Sequence, residues 1–186
     1  MTSTQSPGQV VSLNGIQLYF EIRGTGEPLL LLHGFSGSSQ DWLPSLPAWG
    51  QQCQLIIPDL RGHGRSSILS KPFRHDEAAK DTFELLDHLG IHACKGVGIS
   101  GGGNVLLHMA TKQPGLVKAM VLVSATSYFP AQARKIMEHY AAALPEQQLE
   151  ILRRTHPGGD PQIQSILAST KAFATSYDDM NFTPAY

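Results

Sequence analysis

The sequence predicts an α/β fold: a mostly parallel sheet with an N-terminal antiparallel hairpin, flanking helices and a helical cap. Three observations predict it. "EPLLLLHG", "CQLIIPDLRG" and "ACKGVGIS" are short apolar runs that end in turn residues, as strands buried on both faces of a parallel sheet do. Helical patterns alternate with such runs from Glu27 to about Ser127, and that alternation builds parallel sheets covered by helices. No strand pattern follows Ala125.

In chain order, "GQVVSLNGIQLYFEIRG" places two β-rich runs around Asn14-Gly15, a strong hairpin signal. The two apolar strands of "EPLLLLHG" and "CQLIIPDLRG" come next. "HDEAAKDTFELLDHLG" is helical: Asp76 can cap its start, Ala79, Phe83 and Leu86 share a face, and Gly90 sits where a helix ends. After the strand "ACKGVGIS", "GGGNVLLHMATKQPG" is a helix that stops near Pro114, and "VKAMVLVSATS" is one more strand. Roughly three helical segments then follow, broken by Pro145 and by "HPGGDP". The expected division is a core over 1–126 and a helical cap over 127–186, with Met137, Tyr140 and Leu144 on the cap's underside.

Composition sets the bounds. The chain has 186 residues, 41% apolar and 16% charged, which suits one domain with a real core. Net charge is -1, and no basic block stands out, so neither nucleic acid nor an anionic membrane is an expected partner. The N-terminus does not read as a signal peptide, and the apolar runs are too short to span a bilayer, so a cytoplasmic location is expected. Cys53 and Cys94 read as free, partly buried thiols. No His/Cys cluster has zinc spacing and no P-loop is present, so neither a metal nor a cofactor is expected.

Two fingerprints overlap in "GVGISGGGNVLLHMA". Gly96, Gly98 and Gly101 fit a dinucleotide-binding G-x-G-x-x-G; Gly98, Ser100 and Gly102 fit G-x-S-x-G. The first lacks its support, because the next strand, "VLVSATSYFP", has no acidic residue for a ribose. The second explains more residues. A nucleophilic serine on a sharp strand-to-helix turn needs small neighbours two before and two after, and Gly98 and Gly102 supply them. The helix that follows directs its N-terminal N–H groups at developing negative charge. Gly101 N–H is the expected first oxyanion donor, and Phe35, after His33-Gly34, the second. Losing one such donor typically costs about 3 kcal/mol.

"LLLLHGFSGSSQDW", "IIPDLRGHGRS" and "GVGISGGGNVLLHMA" stand in the order and spacing of the α/β-hydrolase superfamily, and residues 8 to 127 resemble its compact, esterase-like, capped branch. The resemblance implies Ser100 as nucleophile, an oxyanion hole from Phe35 and Gly101, and a small ester or related acyl substrate. Gly101 departs from relatives, which often carry a bulkier residue there. The resemblance also implies a triad acid and histidine on strands after the cap. The chain reaches "NFTPAY" about where that strand would begin, so a family member lacking its C-terminal third is expected, weak or inactive alone. The alternative is a non-catalytic remnant or interaction protein. The strand around Met120–Val123 would then be a sheet edge open to self-association.

The histidines present offer no ready substitute. His108 lies eight positions after Ser100 on one helix, about 12 Å along it. His33 is expected to prop the oxyanion loop, His63 to be structural, and His156 to be a loop residue. His75, His88, His92, Asp178 and Asp179 read as solvated. Asp59 and Arg61 should tie down the turn after their strand, and Trp42 should pack.

Overall fold

The computed structural model describes residues 8–140 and 144–182. Strands β1 (Gln9–Leu13) and β2 (Ile16–Arg23) pair antiparallel across Asn14 and Gly15, whose φ values of 44° and 75° suit the tight turn that matches strand twist. The remaining strands are β3 (Glu27–Leu32), β4 (Cys53–Pro58), β5 (Cys94–Ile99) and β6 (Val117–Val123). The sheet order is β1-β2-β4-β3-β5-β6, antiparallel as far as the β2–β4 pair and parallel beyond it. The predicted mostly parallel sheet with an antiparallel entry is the observed one.

The central strands β3 and β4 become apolar over their last four residues, 29–32 and 55–58, where both faces are covered. Leu30, Leu32 and Ile56 pack against the helices α2 (His75–His88) and α3 (Gly101–Lys112). Leu31, Leu55 and Ile57 turn the other way, onto Trp42, which precedes the short helix α1 (Leu46–Trp49). Burying each such side chain contributes roughly 1.5–3 kcal/mol. β6 differs: it is the outer strand, with Met120, Val121 and Val123 exposed.

One local expectation fails at α2. Asp76 does not cap it, because the helix begins a residue earlier, at His75. The free N–H groups of His75 and Asp76 instead donate to the carboxylate of Asp179, at 2.9 and 3.0 Å. The end is as predicted, with Gly90 at φ 68°.

After β6 come α4 (Ala131–Tyr140), α5 (Glu146–Thr155) and α6 (Gly159–Phe173), three helical segments as expected. Asp160 and Pro161 of the supposed "HPGGDP" break already belong to α6. Leu144 lies outside α4, so it does not share the stripe of Met137 and Tyr140. The segment leaves and returns at one place: Tyr128 bridges Asn181, and Phe182 N–H donates to Ser127 O at 2.8 Å. Buried Arg134 laces this neck, donating through Nε to Phe129 O and through Nη1 to Phe173 O and Ser176 O. Among the described residues, no helix is long and apolar enough to cross a membrane. Cys53 and Cys94 are free, and burial pushes the Cys94 thiol up to about 11.

Candidate active site

Ser100 occupies the turn between β5 and α3. Its φ of 49° and ψ of −114° are an unfavourable conformation for a residue with a Cβ, and its N–H is held by Val123 O at 2.7 Å. The side chain is exposed rather than buried in the turn. The glycines around it are required by contact. A Cβ at Gly98 would lie 2.6 Å from both Gly102 O and Gly103 N. One at Gly102 would run into the carbonyls of Leu32 and His33. One at Gly101 would come within 3.1 Å of Phe35 N and 3.2 Å of Phe35 Cβ. Gly101 is therefore more than a tolerated departure, since it lets the loop after β3 approach closely. That approach sets the Phe35 amide beside Gly101, and neither N–H has an acceptor among the described residues.

His33 braces that loop, as its sequence position suggests. Leu60 N–H donates to its Nε2 at 2.8 Å, so Nδ1 carries the proton and donates to Gly34 O at 2.8 Å. Asp59 ties the loops after β3 and β4 together, accepting from Ser39 N at 2.6 Å and Arg65 N at 2.8 Å. Arg61 acts elsewhere than expected: it pairs with Asp81 on α2 at 2.6 Å. His156 lies in a loop as read, yet it is fully buried. Its Nδ1 accepts from Gly64 N at 2.9 Å and its Nε2 meets Ser36 O at 3.0 Å, which pins the helical segment to both loops. His63 meets Phe35 edge-to-face at 4.8 Å and is buried; its Nε2 has no hydrogen-bond partner among the described residues. Burial holds His33, His63 and His156 below the ordinary histidine range.

A cavity of about 180 Å³ opens over Ser100 and Gly101, with walls from Phe35, Phe129, Met137 and Phe173. His75, expected in solvent, also lines it. The ring is in fact 1% exposed, and its Nδ1 lies 2.8 Å from Asp179 Oδ2. Asp179, also read as solvated, is buried, whereas Asp178 and the histidines 88 and 92 are exposed as expected. His108 lies two turns beyond Ser100, where its Nε2 meets the Asp179 carbonyl at 2.5 Å. Burial works to raise the Asp179 carboxyl, and its bonds to the His75 ring and to two amides outweigh that, holding it well below the usual carboxylate range. Among the described residues, no group of three or more His, Cys, Asp or Glu side chains could hold a metal ion, and no imidazole is hydrogen-bonded to Ser100.

Residues 27–165 match the family model of the alpha/beta hydrolase fold. A soluble epoxide hydrolase from Corynebacterium sp. (strain C12) is 31% identical over 144 residues, covering 74% of this chain and 50% of that protein. A putative carbamate hydrolase RutD from Stutzerimonas stutzeri (strain A1501) is 34% identical over 115 residues, covering 59% of this chain and 43% of that protein. Among solved structures, a hydrolase from Pseudomonas aeruginosa PA01 superposes with a TM-score of 0.75 at 20% identity, covering 91% of this chain and 73% of that one. The chain thus spans half or less of the length of these two sequence relatives.

Proposed function

This chain belongs to the α/β-hydrolase family, and from that premise we propose that it carries the nucleophile half of a serine hydrolase acting on a small ester or related acyl substrate. The observation that carries this reading is the conformation of Ser100: a strained serine, exposed at the mouth of an apolar cavity, beside two amides without acceptors. Strain of this kind, about 1–3 kcal/mol, persists where surrounding structure imposes it, and it clusters at reactive positions. Ser100 Oγ attacks the substrate carbonyl, and the Phe35 and Gly101 N–H groups receive the oxyanion. The leaving alkoxy oxygen takes the proton that Ser100 gives up and departs as the alcohol, and water then adds to the acyl-serine, freeing the acid and returning the serine hydroxyl. Residues 127–186 act as the cap, whose α4 and α6 wall the cavity over a core of residues 1–126. Names among the relatives support hydrolysis in general terms, one being an epoxide hydrolase and another a putative carbamate hydrolase.

In this reading the triad acid and base come from a longer chain or a partner. Taken alone, the 186-residue chain turns over weakly, because losing a triad member commonly costs several orders of magnitude. Labelling with a fluorophosphonate, followed by peptide mapping, tests the assignment. Adduct on Ser100, absent from Ser100→Ala, supports it; a label that persists in Ser100→Ala overturns it.

A second reading has one observation in its favour. The exposed apolar residues of β6 line an unpaired strand edge, which suits a non-catalytic chain that associates with itself. Light scattering decides: a dimer or larger species supports it, and a monomer at high concentration removes it.

A further inference from the structure

His75 lines the cavity over Ser100, and acyl transfer does not use it. Asp179 accepts three N–H groups, from the His75 and Asp76 backbones and from the His75 ring. An ionised carboxylate has no proton to give, so His75 Nδ1 must carry the hydrogen of that 2.8 Å bond. With that hydrogen on Nδ1, Nε2 is the ring nitrogen left to accept. Phe73 and Phe173 pack against the ring at 5.2 and 5.1 Å, which fixes its plane. His108 holds the Asp179 backbone from behind. The result is a rigid acceptor lining the same cavity as Ser100. Among the described residues nothing donates to Nε2, and no hydrogen bond joins the ring to Ser100.

Nε2 thus keeps an unused acceptor position on a ring that lines the cavity, and a ligand hydroxyl can fill it. A site built to bond a hydroxyl also discriminates against the analogue lacking one. We propose that His75, aimed by Asp179, reads the substrate: its Nε2 accepts a hydrogen bond from a hydroxyl on the acyl part of a molecule whose carbonyl sits at Ser100. The substrate class is then a hydroxyacyl ester. This rests on the acyl-hydrolase reading above for the placement of the carbonyl. His75 touches substrate in this scheme, and Asp179 is a positioning residue.

The test uses the full chain carrying Ser100→Ala, so that binding is read without turnover. Methyl 3-hydroxyhexanoate and methyl 6-hydroxyhexanoate are titrated against methyl hexanoate at pH 8, followed by NMR. At least one hydroxy ester is expected to bind about fivefold tighter than methyl hexanoate, the worth of one net hydrogen bond. Adding His75→Leu is expected to abolish that preference. A measurement without the second substitution guards against misfolding: the ¹⁵N resonance of His75 Nε2 should move with the hydroxy ester and not with methyl hexanoate. Equal affinities for all three esters, a preference that survives His75→Leu, or an unmoved Nε2 resonance would each overturn the proposal. Fluorophosphonate labelling is read separately. Loss of the Ser100 assignment with the hydroxyl preference intact sinks the nucleophile and leaves the His75 contact, and the reverse pattern sinks only His75.

Discussion

At one end of the cavity, Ser100 is fixed by backbone crowding among Gly98, Gly102 and the loop after β3; at the other, His75 is fixed by one carboxylate 104 residues further along the chain. The first end contains almost no side chain to remove, so it breaks when atoms are added. The second depends on the charge and three hydrogen bonds of Asp179, so it breaks when atoms are taken away. Rigid placement of a reactive group can thus rest on steric exclusion or on electrostatic anchoring, and the two respond to different perturbations.

The largest effect should come from adding a methyl at the crowded end. Gly102→Ala drives a Cβ into the carbonyls of Leu32 and His33, neither of which can give way without moving β3. A loss of about 5 kcal/mol, or failure to fold, is expected in urea unfolding. A near-neutral result would mean that strand and helix approach less closely than described.

Acid separates the two ends next. His33, His63 and His156 behind the oxyanion loop have folded values below the ordinary one, so the unfolded chain takes up their protons first. Their contribution is complete above about pH 6.5 and is lost as pH falls through the folded values, at up to about 1.4 kcal/mol per pH unit for each ring. Asp179 is also depressed when folded, but from a carboxylate value, so its contribution is complete above about pH 4 and declines only below that. Urea melts from pH 8 to 3 should therefore show a decline beginning near 6.5 and a second below 4. Stability that stays flat down to pH 4 would place the three rings in water.

Asp179→Ala should cost about 2–3 kcal/mol, because it strands the buried His75 N–H, the half-buried Asp76 N–H and the His75 ring. Amide exchange at His75 and Asp76 should rise while that at Asn104 does not. Acceleration spread evenly through α3 would show that the two ends are not independent. The smallest change is Ser100→Gly. Relief of the strained conformation should raise stability by about 1 kcal/mol, and a destabilised variant would argue that the turn is relaxed with serine in place.

The crowded end was legible in the sequence because its causes are local. Gly98 and Gly102 flank Ser100 within five residues, and β3 and β4 announce their burial through the apolar runs at 29–32 and 55–57. The anchored end was not legible. Nothing around His75 or Asp179 distinguishes a buried pair from two solvated side chains, since each is apolar in context only once the chain has returned from α6. The same holds for His156, whose partners Gly64 and Ser36 lie 92 and 120 residues away. Asp76 misled for a related reason: a local capping rule gave way to a distant carboxylate that reaches the same amides. Gly101 is half legible: its missing side chain stands out as a departure from relatives, but only the folded chain shows the Phe35 backbone lying 3.1 Å from where a Cβ would be.

The neck of the helical segment has an engineering consequence. Its two ends lie side by side, joined at Tyr128 and Asn181 and stitched by one guanidinium, while His156 and Asp179 fasten the part between them to the core loops and to α2. Redesigning α4 alone, with Arg134 kept, would retain those fastenings while changing Ile136, Met137 and Tyr140, part of the surface a guest molecule meets.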